Sequence, residues 1–129
     1  MKKMFFFFGI LFSMFVSFSA QAQKKADDVM KLTKETYEMG SIPMGKPYSF
    51  DIEFTNTSKK PIVIESAMGS CGCTVPTPTK KPIAPGKIGK VSVTYNPTGV
   101  GTFHKDVTIK FAGVAEPKVV YFSGTVVQK

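Results

Sequence analysis

From Tyr48 to Thr55 the side chains alternate without a break, with Tyr48, Phe50, Ile52 and Phe54 on one side and Ser49, Asp51, Glu53 and Thr55 on the other. A period of two places successive side chains on opposite faces of an extended chain, so the pattern dictates a strand with one dry face and one wet face. Such a strand must lie in a sheet whose apolar face is covered by another layer. The same period recurs in residues 88–95, where Val91, Val93 and Tyr95 share a side, and in 103–111, where Val107, Ile109 and Phe111 do. Segments 29–37, 61–67 and 118–127 bring the expected strands to six, with room for a short seventh near Thr74 and Val75. No stretch holds a helical period for three turns.

The prolines, all nine beyond residue 22, fall mostly between these runs, where a fixed φ and a missing N–H interrupt no ladder. Turns are expected at 39–45, Asn56-Thr57-Ser58, Ala84-Pro85-Gly86 and Asn96-Pro97-Thr98-Gly99. Short strands at this spacing without helices between them predict an all-β, immunoglobulin-like antiparallel sandwich of about seven strands. An open barrel is the nearest alternative.

Residues 1–22 are set apart from that fold. Lys2 and Lys3 precede fifteen apolar or small residues, Met4 to Phe18, and Ala20-Gln21-Ala22 offers the A-x-A exit of a secretory signal. The apolar run is short of the roughly 20 residues needed to span a bilayer, and no cysteine follows it to accept a lipid. Cleavage after Ala22 is expected, giving a periplasmic or secreted product without a stable membrane span. Gln23 then opens a polar lead, 23–28, and a single domain occupies 29–129.

Seven of the twelve phenylalanines leave with the leader, and the remaining 107 residues suit one domain with a modest core. Fifteen lysines then face nine acids, a net charge of +6, and there is no arginine. Base and phosphate recognition favours the planar guanidinium fork, and the lysines are scattered singly or in pairs, so nucleic acid is not an expected partner.

One cluster could carry chemistry: Ser70-Cys71-Gly72-Cys73-Thr74 holds every cysteine of the chain. In an oxidising compartment the pair invites a disulfide, yet positions two apart on an extended chain lie about 6.6 Å apart, near the limit for a relaxed bridge. Gly72 could take an unusual φ that folds the thiols together, giving a supporting turn and a labile bond. Three readings stay open here: a structural turn, a thiol-redox pair, or a Cu(I) site of two thiolates with Met68 nearby. Zinc is short of ligands, since the one histidine, His104, stands 31 positions beyond Cys73. His104 alternates with Phe103 and is expected to face solvent. No phosphate loop, serine elbow or paired-carboxylate motif occurs, so neither catalysis nor a cofactor is expected. Asn56-Thr57-Ser58 also fits a glycosylation acceptor, although the turn accounts for it.

The order of these motifs resembles the bacterial family catalogued as domain of unknown function 1573. The resemblance rests on Tyr37-Glu38-Met39-Gly40-Ser41-Ile42, Phe54-Thr55-Asn56, Ser70-Cys71-Gly72-Cys73-Thr74, Ile83-Ala84-Pro85-Gly86, Val91-Ser92-Val93-Thr94-Tyr95, Gly101 and Ser123-Gly124-Thr125-Val126. Met39 departs from it, standing where the family usually has an aromatic residue. The resemblance implies an immunoglobulin-like sandwich akin to major-sperm-protein and ciliary domains, in exported proteins of Bacteroidetes-like bacteria, and implies no reaction. The expectation is a non-enzymatic interaction module for an unknown envelope or surface protein, with a thiol-redox or copper-handling factor using Cys71 and Cys73 as the alternative.

Overall fold

In the computed structural model, which describes residues 23–128, the alternating segments become eight strands: β1 (Met30–Leu32), β2 (Thr36–Pro43), β3 (Tyr48–Asn56), β4 (Ile64–Gly69), β5 (Thr74–Pro78), β6 (Ile88–Tyr95), β7 (Gly101–Phe111) and β8 (Lys118–Val127). They form two four-stranded sheets, ordered β1-β3-β6-β5 and β2-β8-β7-β4. The fold is the expected all-β sandwich, with eight strands in place of about seven. The proposed leader, 1–22, lies outside the described residues.

The additional strand comes from segment 29–37, which is two strands in different sheets. Met30 and Leu32 turn inward against β3, while Tyr37 and Met39 pack inward from β2. The inward side therefore changes from even to odd positions across the polar stretch Thr33-Lys34-Glu35, where the chain passes between sheets without reversing. Its direction is kept, so β2 pairs with β8 in parallel, whereas the other ladders are antiparallel.

The turn expected at 39–45 is smaller than anticipated. Gly40, at φ 65°, sits inside β2 where the register slips between Glu38 and Ser41, so it makes a bulge. Reversal is left to Met44 and Gly45.

Between the sheets, Phe54 of β3 meets Phe111 of β7 edge to face at 5.3 Å, and Phe50 meets Phe122 of β8 at 5.2 Å. These contacts lock one layer to the other, each adding about 0.5–1.5 kcal/mol beyond area burial. Ile52, Val91, Val93, Val107 and Ile109 fill the remainder, all fully buried. The polar lead is drawn into this structure: Ala26, in a single 3-10 turn (Ala26–Asp28), is buried, and its N–H donates to the Glu116 carbonyl at 3.0 Å. Among the described residues no helix is long and apolar enough to cross a membrane.

Candidate functional site

Strands β4 and β5 are edge strands of opposite sheets on the same side of the sandwich, and Ser70 to Cys73 connects them. The connection is tied at both ends. Ser70 N–H donates to the Asp106 carbonyl at 3.0 Å, and Asp106 N–H returns a bond to Ser70 Oγ at 3.2 Å. Thr74 N–H donates to the Cys71 carbonyl at 3.1 Å, which closes the turn, and Asn96 N–H donates to the Cys73 carbonyl at 2.8 Å.

Inside this turn Cys71 and Cys73 are bonded to each other, with their Cα atoms 5.3 Å apart. The approach below 6.6 Å comes from the turn, since an extended chain would hold them farther apart. Both cysteines are half-buried, and Cys73 packs against the core. The Cys71 sulfur lies 3.6 Å from the hydroxyl of buried Thr74.

The role foreseen for Gly72 needs correction. Its φ is not in the left-handed region, and a Cβ built there meets nothing within 4 Å. The glycine that the turn requires is Gly69, where a Cβ would lie 2.7 Å from Thr74 Cβ and closer still to the Thr74 carbonyl oxygen. Close approach of the two edge strands therefore depends on a residue that the cysteine motif did not single out.

Met68 alternates with inward-packed Ala67, faces outward and is 66% exposed. His104 faces solvent as expected, and its ring stacks on Tyr121 at 5.5 Å. Among the described residues no group of three or more His, Cys, Asp or Glu side chains is placed to hold a metal ion.

Sequence reasoning missed the surroundings of the turn. Met44 N–H donates to the Val127 carbonyl at 2.9 Å and Gly45 N–H to the Pro97 carbonyl at 3.0 Å, so the β2–β3 loop, the β6–β7 loop and the end of β8 meet the bridged turn at one end of the sandwich. Exposed apolar side chains stand in the loops and strand ends there: Met44, Tyr48, Val75, Val100 and Val127, between 38% and 58% exposed. The signal was present in Met44 and Val100, apolar residues standing beside glycines where a turn is ordinarily polar.

A two-sheet sandwich whose first two strands divide between the sheets gives this chain an immunoglobulin-like fold. More narrowly, the chain belongs to the DUF1573 family of proteins of unknown function, which it matches over residues 30–126. It is similar in fold to a protein of unknown function from Porphyromonas gingivalis W83, at 18% identity and TM-score 0.65, covering 84% of this chain and 51% of that one. The chain thus spans about half the length of that relative. It is similar also to the ASH/PapD-like domain 7 of human CEP192, at 12% identity and TM-score 0.63 over 78% of this chain and 87% of that one. A third likeness is WR4, a Caenorhabditis elegans MSP family member, at 10% identity and TM-score 0.53 over 77% and 98% of the two chains. Among curated proteins none matches this chain.

Proposed function

We propose that this protein is an exported, non-enzymatic binding module that engages an envelope or surface protein through the end of the sandwich carrying the bridged turn. The supporting observation is the group of exposed apolar side chains around that turn: Met44, Tyr48, Val75, Val100 and Val127. A solvent-facing end collects apolar groups at a cost in solubility, which burial against a partner removes. The bridge and the hydrogen bonds from Ser70, Thr74 and Asn96 hold this surface in one shape, lowering the entropy lost on docking.

The test compares affinity capture from envelope extracts of the source cell by the wild type and by Val100→Asp and Met44→Lys variants. Both variants are expected to lose the captured partner, whereas Ile88→Asp, more exposed still but at the far end of β6 on the outer face of the first sheet, retains it. Unchanged capture by the two end variants would refute the assignment of the surface. Export is checked separately by the mass of the processed chain, expected to begin at Gln23.

The placement of the bridge favours a second reading, thiol exchange, because both cysteines are half-buried in a surface turn. A thiolate from a partner dithiol would attack one sulfur and release the other as a thiolate. The partner's second thiol would then displace the mixed bond, leaving the partner oxidised and this pair reduced. Alkylation and intact-mass measurement before and after reduction test this reading. A bridge that persists against dithiol partners, with a reduced form that takes up no Cu(I), would remove both thiol chemistry and copper handling.

A further inference from the structure

The end of the sandwich opposite the bridged turn has a different character. There the N-terminal segment, the β3–β4 loop and the β7–β8 loop surround a pocket of about 350 Å³. Val29, Ile62 and Val114 contribute apolar lining, and Lys24, Lys59 and Lys60 supply the charge. No carboxylate lines it.

Each lysine stands on anchored backbone. The Lys24 carbonyl accepts the Ala115 N–H at 3.0 Å. Lys59 and Lys60 are carried by a loop clamped by Asn56, whose side-chain amide donates to the carbonyls of Lys60 and Ile83, both at 2.8 Å. The nearby acids have other partners: Asp27 is held by Lys118 at 2.8 Å, Asp28 accepts the Lys25 N–H at 2.9 Å, and Glu116 faces Lys25 at 3.9 Å. Among the described residues no carboxylate lies within 4 Å of the amines of Lys24, Lys59 or Lys60.

We propose that this end docks on a bilayer containing anionic phospholipid, with one phosphate headgroup seated among Lys24, Lys59 and Lys60 and its glycerol and upper acyl carbons against Val29, Ile62 and Val114. Three amines without carboxylate partners match a phosphate. The apolar lining matches what a free phosphate lacks and a lipid headgroup carries. Lys80, Lys81 and Lys87 lie in the adjoining β5–β6 connection and extend the positive face beyond the pocket.

Chain geometry points the same way, on the export reading given above. The apolar run ends at Phe18, and the six residues to Lys24 reach at most about 20 Å. While the leader is attached, Lys24 therefore stays within that distance of the end of the apolar run.

The test uses the protein beginning at Gln23, so it stands or falls independently of export. Co-sedimentation is measured with vesicles of phosphatidylcholine alone and with about 30% phosphatidylglycerol, the anionic mixture being expected to bind and to release at high salt. Each lysine removed is expected to weaken binding about fivefold, so Lys59→Gln with Lys60→Gln loses on the order of 25-fold. Lys46→Gln with Lys105→Gln, an equal change of charge elsewhere, is expected to lose little. Equal losses in the two double variants would overturn the pocket, and absence of binding to anionic vesicles would overturn docking. Inorganic phosphate shifting the amide resonances of Ser58, Lys59, Lys60 and Ile62 without vesicle binding would assign the pocket to a soluble anion and overturn the lipid assignment.

Discussion

Replacing Gly69 by alanine tests how the two sheets are joined at the bridged turn. The new methyl group would lie 2.7 Å from Thr74 Cβ and 2.9 Å from Thr74 Cγ2, with the Thr74 carbonyl closer still. The obstacle includes backbone, so relief requires β4 and β5 to separate. Overpacking of this kind costs about 1–3 kcal/mol. In a domain of this size that lowers the melting temperature by roughly 5–20 °C, measured by circular dichroism. Gly72→Ala is the paired control: its methyl group meets nothing within 4 Å and its φ is not left-handed. It is expected to melt within about 0.5 kcal/mol of the wild type, or slightly higher through a stiffer unfolded chain, and to keep the Cys71–Cys73 bond by intact mass. A Gly69→Ala protein as stable as the wild type, or a Gly72→Ala protein as damaged as Gly69→Ala, would refute the reasoning.

Three further outcomes follow from the structure. Asn56→Asp replaces the amide that donates to the Lys60 and Ile83 carbonyls with a carboxylate that cannot, and is expected to cost about 2–4 kcal/mol in denaturant unfolding. Reducing the bridge, which joins positions two apart, is expected to cost only about 1–2 kcal/mol, because so short a loop restrains little of the unfolded chain; unfolding on reduction would contradict this. Stability is expected to fall as pH rises above about 10. The hydrogen bond from Lys118 to Asp27 raises its amine above 10.5, and desolvation raises Tyr95 and Tyr37 above 10.0, so the folded state holds these protons longer. Their stabilisation is complete below the unfolded values and lost through the folded ones, and Lys118→Met should blunt the fall seen in thermal melts across that range.

Much of the fold was legible because burial in a sheet has a local signature. The alternation in β3, β6 and β7 named Ile52, Phe54, Val91, Val93, Tyr95, Val107, Ile109 and Phe111, which are buried, but also Phe50, which is half-buried, and Tyr48, which is 38% exposed at the end of its strand. The split of segment 29–37 was legible only as a change of phase across Thr33-Lys34-Glu35, which reads equally well as a polar patch on one strand. Asn56 illustrates the limit. As part of Asn-Thr-Ser it reads as a turn or a glycosylation acceptor, yet its amide nitrogen is buried and donates to two carbonyls, one of them 27 positions away. That partner belongs to a loop with which the local sequence shares no pattern.

The candidate site divides in the same way. Cys71 and Cys73 are recognisable from their residue types, but the glycine that matters beside them is Gly69, because the constraint is the approach of Thr74 across the turn. Sequence by itself determined which faces are dry, where the turns must fall and that two cysteines share one of them. Each of these depends on covalent neighbours and the two-residue period of an extended chain. Only the tertiary structure decided that β1 and β2 enter different sheets, that β2 and β8 run parallel, and that the apolar side chains and the unpaired lysines collect at opposite ends. Those outcomes depend on register between segments far apart in the chain, where hydrogen-bond partners and close contacts exist only once both sheets have packed.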